Sequence, residues 1–188
     1  MSVKNKFMLE PGRAVLLVVD VQEKLCAAMD AKALAQLTRN TGILLESARE
    51  LSIPVIITEQ YVKGLGRTLP ELREKAPDAP CLEKLTFSCC GNEAFLEQLK
   101  ESGRTQVVIA GMETHVCVLQ TVIELLDAGF IVHVVKDAVM SRSNDNWQTA
   151  MEAMTQAGAV PTSTESVVFQ LLKIAGTDSF RKLSKLVK

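Results

Sequence analysis

The fold of this chain is decided by residues 14–20, which spell AVLLVVD. Six consecutive apolar residues are typical of a strand that is buried on both faces, as strands inside a parallel sheet are. The run ends in a carboxylate, Asp20. Because parallel strands must be joined by crossover connections, usually helices, this stretch predicts that the rest of the chain alternates strands with helices.

The remainder of the sequence follows this alternation. We predict further strands at residues 53–58, 81–84, 105–110, 130–135 and 159–162. We predict helices at residues 31–51, 92–102, 115–128, 145–157, 165–175 and 179–187, and an irregular stretch at residues 59–79. Six strands with alternating helices imply an α/β fold of three layers, a doubly wound parallel sheet, for which the commonest, Rossmann-like order is 3-2-1-4-5-6.

Length and composition limit the classes of protein to consider. A chain of 188 residues favours one domain, residues 1–188. Its net charge of -1 gives no reason to expect nucleic acid or an anionic membrane surface as a partner. Its apolar runs are too short to cross a bilayer, and the N-terminal residues do not resemble a secretory signal. Five cysteines without disulfide-framework spacing favour free thiols in a reducing compartment, so we expect a cytoplasmic protein.

The predicted topology places a ligand site where strands 1 and 4 end, because open α/β sheets bind ligands at that switch point. Residues 111–117, GMETHVC, follow strand 4. Thr114 is placed to cap the next helix, which puts Cys117 in its first turn. Backbone N–H groups there can stabilise a thiolate or an oxyanion on a substrate carbonyl. The alternative is that Cys117 is a small buried apolar residue.

Asp20 and Lys84 can each be interpreted as structural or as functional residues. A carboxylate at the end of a buried strand either orders a loop or carries a function, because an unpaired buried charge is costly. Near a thiol, Asp20 could take its proton and return it to a leaving amine. Lys84 lies at the end of strand 3, and pattern alone predicts only a solvated surface charge.

Three segments of the chain resemble the motifs of the isochorismatase-like cysteine hydrolases. They are VVDVQ at residues 18–22, EKLTFS at 83–88 and GMETHVCV at 111–118. Residues 129–143 resemble the family's fifth strand and following loop, and residues 157–172 resemble the small isochorismatase-domain proteins. The resemblance extends over nearly the whole chain.

This resemblance implies a catalytic set of Asp20, Lys84 and Cys117. Cys117 would attack a carbonyl to form an acyl-enzyme, Asp20 would be the general base and acid, and Lys84 would lower the pKa of the thiol. A cis peptide at Met112–Glu113 would aim the oxyanion-hole N–H groups of Glu113 and Cys117. We further expect a substrate pocket lined by Gln22, Glu59, Gln60, Phe87 and Thr114.

Metal-dependent relatives hold their ion with an aspartate and histidines after the second strand, and this chain departs from that pattern. Its two histidines, His115 and His133, lie elsewhere. A zinc site needs three or four converging ligands, so we predict no metal and no cofactor. His133 alternates within a buried strand and is expected to be a satisfied core residue.

The leading hypothesis for function is therefore a hydrolase that cleaves a C–N amide bond of a small molecule. The main alternative is a catalytically idle protein of the same fold that binds a ligand or partner. Nuclease activity is disfavoured by the near-neutral charge, and isochorismate hydrolysis, the cleavage of a vinyl ether, has less need of a cysteine. Specificity should depend on residues 59–79 and 139–146.

Self-association is a separate expectation. The helices predicted after strands 4 and 5 carry apolar residues on more than one face, and one sheet covers only the first face. We predict a homodimer or a larger closed assembly. The alternative is that the C-terminal helices, from Glu165 onward, cover the second face.

Overall fold

A computed structural model describes residues 2–188 and contains one six-stranded sheet. All strands are parallel, in the order β3-β2-β1-β4-β5-β6, which confirms the predicted fold class and strand order. The strands are β1 Ala14–Val19, β2 Val55–Gln60, β3 Cys81–Lys84, β4 Gln106–Met112, β5 Ile131–Met140 and β6 Val160–Thr162.

Helices cover both faces of the sheet. The longer ones are α3 Ala31–Glu50, α6 Glu93–Glu101, α7 Leu119–Asp127, α8 Asn144–Ala157 and α9 Thr164–Leu172. Shorter ones are α1 Val3–Phe7, α2 Glu23–Cys26, α4 Val62–Leu65, α5 Pro70–Arg73 and α10 Asp178–Leu183. Among residues 2–188, no helix is long and apolar enough to span a membrane.

Successive side chains of the strands belong alternately to two apolar layers, one on each face of the sheet. On one face, Leu16 and Val18 pack with side chains of α3 and α9, such as Leu44 and Val167. On the other face, Val15, Leu17 and Val19 join side chains of α6, α7 and α8. Every residue of β1 is buried, as expected for the central strand of a doubly wound sheet.

Three strands extend further than the sequence predicts, among them β4, which ends at Met112 rather than at residue 110. β2 begins after Pro54 and continues to Gln60, because the polar side chains at its end find partners within the protein. β5 continues five residues beyond the predicted end at residue 135, to Met140. Lys136 is exposed and Asp137 is partly buried, and Asp137 is held from other segments: Thr164 donates two hydrogen bonds to Asp137 Oδ1, and Asn40 donates one to the Asp137 carbonyl.

The stretch at residues 59–79, predicted to be irregular, contains α4 and α5. It is attached to the segment after β1 by a bridge between Gln22 and Thr68.

The carboxyl ends of β1 and β4 approach each other closely at Gly111. This residue has φ 126°, and a Cβ there would lie 2.1 Å from the carbonyl oxygen of Val19. Only glycine permits this approach. It places Asp20, which follows Val19, beside the turn that carries Cys117.

Candidate active site

Asp20 is completely buried and both of its carboxylate oxygens are held. Thr58 Oγ1 donates to Oδ1 over 2.8 Å, and Lys84 Nζ donates to Oδ2 over 2.7 Å. Its backbone has φ 50°, a left-handed conformation that turns the chain away from the sheet. A buried carboxylate is stable only with such donors.

Lys84 ends β3 opposite Gln60 of β2, and its side chain is only 1% exposed. Besides Asp20, its ammonium donates to Gln60 Oε1 at 2.8 Å, and to the carbonyl oxygens of Phe87 at 2.9 Å and Thr86 at 3.2 Å. The solvated surface charge predicted from pattern alone is thus wrong. Lys84 is a buried cation surrounded by acceptors.

Cys117 lies in a π-helical turn, Thr114–Val118, that precedes α7, and the residue is 6% exposed. The helix cap is Glu113 rather than Thr114, so the predicted cap is wrong by one residue. Thr114 is itself buried, and its hydroxyl has no hydrogen-bond partner among the described residues. Wider π turns are found at functional sites, where they change the direction of a side chain.

The predicted lowering of the Cys117 pKa is contradicted. Burial raises the pKa of this thiol above its ordinary value, and the negative charge of Asp20 raises it further. The positive charge of Lys84 lowers the same pKa but does not compensate for the other two effects. In the resting protein the thiol of Cys117 therefore keeps its proton.

The peptide bond between Met112 and Glu113 is cis. The carboxylate of Glu113 is buried and accepts hydrogen bonds from the backbone N–H and the Nε of Arg142, both at 3.1 Å. These contacts attach the loop after β4 to the loop after β5. His115, half-buried on the same turn, contacts Ser141 Oγ at 3.0 Å through Nδ1.

The residues expected to line a pocket have different surroundings. Gln22 and Gln60 are buried, and the Gln22 side chain binds the Gln60 backbone: Gln22 Oε1 accepts from the backbone N–H of Gln60 at 2.7 Å, and Gln22 Nε2 donates to the Gln60 carbonyl at 2.9 Å. Glu59 faces the irregular segment, where Thr68 and Arg67 bind its two carboxylate oxygens. Phe87 is 54% exposed, while its carbonyl oxygen contacts Lys84.

Burial raises the pKa of Glu59, but the hydrogen bonds from Thr68 and Arg67 outweigh burial and hold that pKa below its usual range. Glu59 is thus an ionised anchor for the segment around Thr68.

The sequence patterns single out neither Thr58 nor Cys89. Thr58 pairs with Val19 in the register of β1 and β2, one residue before Asp20, and only the structure shows this register. Cys89 Sγ lies 3.7 Å from Thr58 Oγ1 and is fully buried. Burial, then the charge of Asp20, raises the pKa of Cys89 to about 12.

A cavity of about 550 Å³ lies between α3 and the end of β5. Five of its lining residues belong to the segment 139–146, among them Arg142 and Asn144. Trp147 also lines it, and Trp147 Nε1 donates to the Val139 carbonyl at 3.2 Å.

Within residues 2–188, no three histidine, cysteine or carboxylate side chains converge in a way that could hold a metal ion. His133 is buried as expected, but the prediction that it is satisfied is wrong. Neither ring nitrogen has a partner among the described residues, and burial lowers its pKa to about 4.

Comparison with known protein families identifies the family of this chain. The model of the isochorismatase domain matches residues 14–166, the segment that contains Asp20, Lys84 and Cys117. The chain belongs to the isochorismatase family.

Relatives within the isochorismatase family match along most of their length. The secreted isochorismatase effector Isc1 of Phytophthora sojae is 40% identical over 191 residues, which cover 100% of this chain and 90% of that protein. Isochorismatase domain-containing protein 2 of Macaca fascicularis is 37% identical over 181 residues, or 95% of this chain and 84% of its own.

Solved structures agree with this membership. A structure described as the MAR1 ribonuclease of Caenorhabditis elegans has a TM-score of 0.89 and 39% identity, with coverage of 96% of this chain and 92% of its own. The YcaC protein of Escherichia coli, described as an octameric hydrolase of unknown specificity, has a TM-score of 0.88 and 27% identity, with coverage of 95% and 90%.

Proposed function

We propose that this chain is one hydrolase domain that cleaves a C–N amide bond of a small molecule through a covalent Cys117 acyl intermediate. One observation carries the proposal: a buried ion pair, Lys84 Nζ to Asp20 Oδ2 at 2.7 Å, whose two charges both act on the thiol of Cys117. A structural ion pair has no need of a nucleophile beside it, whereas the cysteine hydrolases that this chain resembles combine a carboxylate, a lysine and a cysteine.

The first half of the reaction transfers the acyl group. The sulfur of Cys117 attacks the amide carbonyl carbon while its proton passes to Asp20. Backbone N–H groups of the turn around Glu113 and Cys117 stabilise the charge that develops on the carbonyl oxygen. Asp20 then gives the proton to the amide nitrogen, the C–N bond breaks, and an amine leaves a thioester on Cys117.

The second half regenerates the protein. Asp20 takes a proton from water, whose oxygen attacks the thioester carbonyl carbon. The C–S bond breaks, the acid product leaves, and the proton returns to the sulfur of Cys117. Lys84 fixes the position of the Asp20 carboxylate through its hydrogen bond to Oδ2.

The surroundings of the site bear on substrate, assembly and location. We assign substrate selection to residues 139–146, which Arg142 attaches to the Glu113 turn, and to the segment anchored by Glu59. We propose a homo-oligomer, supported by the octameric E. coli neighbour and by exposed apolar side chains such as Phe87 and Ile123. Five free cysteines favour a cytoplasmic location, whereas the Phytophthora relative is a secreted effector.

The proposal is tested by capturing the acyl-enzyme. The intact protein is incubated with a panel of small primary and secondary amides, quenched in acid and measured by mass spectrometry. We expect an acyl adduct on the peptide that contains Cys117, and amine release that Cys117→Ala abolishes. Cys26→Ala is the matched control, because Cys26 is a comparably buried thiol without contact to Asp20 or Lys84.

Two results would overturn the proposed function and point to another. If no amide yields an adduct or amine and the protein still binds members of the panel, the chain is an idle binding protein of this fold. If RNA is degraded and Cys117→Ala abolishes that degradation, the name of the C. elegans neighbour describes this chain as well.

A further inference from the structure

Thr58 and Cys89 form a short polar chain that ends on Asp20. Thr58 Oγ1 lies 2.8 Å from Asp20 Oδ1, and Cys89 Sγ lies 3.7 Å from the same hydroxyl oxygen. Asp20 and Cys89 are completely buried and Thr58 is 1% exposed. Neither Thr58 nor Cys89 takes part in the reaction steps above, so their position needs a separate explanation.

The direction of the hydrogen bonds along this chain is fixed by its chemistry. A threonine hydroxyl has one proton, and an ionised carboxylate can only accept. The proton of Thr58 therefore points to Asp20, and the Thr58 oxygen accepts from the S–H of Cys89. Burial and Asp20 raise the pKa of Cys89 to about 12, so this thiol remains a donor at neutral pH.

The same thiol is tied to the turn of the nucleophile. The backbone N–H of Cys89 donates to Thr121 Oγ1 at 2.9 Å, and that hydroxyl donates to the Cys117 carbonyl at 2.7 Å. One threonine of α7 thus fixes the backbones of both cysteines relative to each other. Of the two thiols beside Asp20, Cys89 is held as a donor to Thr58 and Cys117 is the one left to react.

We propose that Thr58 is a positioning residue whose hydrogen bond to Asp20 favours the arrangement in which the shared proton stays on Cys117, with Cys89 fixing the direction of the Thr58 hydroxyl. This inference rests on the proposed role of Asp20 as the base. The single proton shared by Asp20 and Cys117 has two positions, carboxylate with thiol or carboxylic acid with thiolate. Each hydrogen bond to the carboxylate favours the first, unreactive form.

The test measures how fast iodoacetamide alkylates Cys117 at neutral pH, by peptide mass spectrometry of the full chain. Thr58→Val keeps the shape of the side chain but removes the donor. We expect it to raise the Cys117 rate about tenfold, the equilibrium effect of about one hydrogen bond to a charged group. Thr58→Ser, which keeps a hydroxyl, should return the rate to near the wild-type value.

A double-variant cycle separates this role from simple loosening of the fold. In the Asp20→Asn background the carboxylate is gone, so adding Thr58→Val should leave the Cys117 rate unchanged. Thr41→Val is the matched control, because Thr41 is an equally buried threonine on α3. An increase that persists in the Asp20→Asn background overturns the proposal, and so does a Thr58→Val rate equal to that of the wild type.

A second pair of variants keeps the proposal testable if Thr58→Val does not fold. Cys89→Ala removes the donor to Thr58 and should raise the Cys117 rate by a smaller factor, roughly threefold, because S–H donors are weak. Cys89→Ser retains a donor and should behave like the wild type. Equal rates for Cys89→Ala and Cys89→Ser would refute the part assigned to Cys89.

None of these rates requires a substrate, so a failed amide panel would overturn the proposed function without deciding the role of Thr58.

Discussion

Replacing Lys84 with methionine should destabilise the fold more than any surface substitution. The side chain of Lys84 is 1% exposed and that of Asp20 is 0% exposed, so bulk water solvates neither charge. Lys84→Met removes the donor to Asp20 Oδ2 at 2.7 Å and leaves Thr58 as the remaining side-chain donor to that carboxylate. Gln60 Oε1 and two backbone carbonyl oxygens lose the same donor.

Removing one partner of a buried ion pair costs about 3–5 kcal/mol, because the other charge stays buried without compensation. Domains have a free energy of unfolding of about 5–15 kcal/mol, so the variant should fold but should unfold at a lower urea concentration than the wild type. With a urea m-value of roughly 2 kcal/mol per molar, a loss of about 4 kcal/mol moves the unfolding midpoint down by roughly 2 M. Urea titration followed by circular dichroism measures this shift.

Two further variants show whether the cost comes from the buried charge. Asp20→Asn combined with Lys84→Met should be more stable than Lys84→Met alone, because the double variant has no uncompensated carboxylate. Lys75→Met removes a half-exposed ion pair with Glu46 and should cost less than about 1 kcal/mol. A Lys84→Met midpoint as close to wild type as that of Lys75→Met would refute the burial of the pair.

The remaining predictions concern ionisation, metal independence and assembly. Because the charge of Asp20 raises the pKa of Cys117, Asp20→Asn should let this thiol ionise at a lower pH, measured by the alkylation rate of the Cys117 peptide as a function of pH; an unchanged profile would show that Asp20 does not act on it. Burial lowers the pKa of His133 from 6.5 to about 4, so the unfolded chain takes up a proton first as the pH falls. Stability should then decline by about 3 kcal/mol between pH 6.5 and 4, a decline that His133→Phe should remove in urea titrations at each pH. Treatment with a chelator should change neither the unfolding midpoint nor the labelling of Cys117, and a loss of either would reveal a structural or catalytic metal. Light scattering should give a mass that is a multiple of 20.5 kDa, and a clean monomer at micromolar concentration would exclude the assembly.

Much of the fold could be predicted from local patterns because the strands are buried on both faces. A run such as residues 14–19 can be recognised as a strand from its own apolar residues, without knowledge of the neighbouring strands. The order 3-2-1-4-5-6 follows from the commonest topology for six strands that alternate with helices. Strand ends were harder to predict. The charged pair at residues 136–137 is typical of a strand end, yet β5 continues because it pairs with β4 again at Val139 and Met140 and because Thr164 and Asn40 bind Asp137.

The sequence by itself determined the fold class, the strand order and the positions of Asp20 and Cys117 at the ends of adjacent strands, because all of these follow from periodicity and motif order. Tertiary structure alone decided the state of those groups. The pKa of Cys117 depends on burial and on the balance between Asp20 and Lys84, and the burial of Lys84 depends on acceptors contributed by separate segments. Thr58 and Cys89 became visible only through the register of β1 with β2 and the packing of the Cys89 turn on α7, since distances between remote side chains leave no local pattern in a sequence.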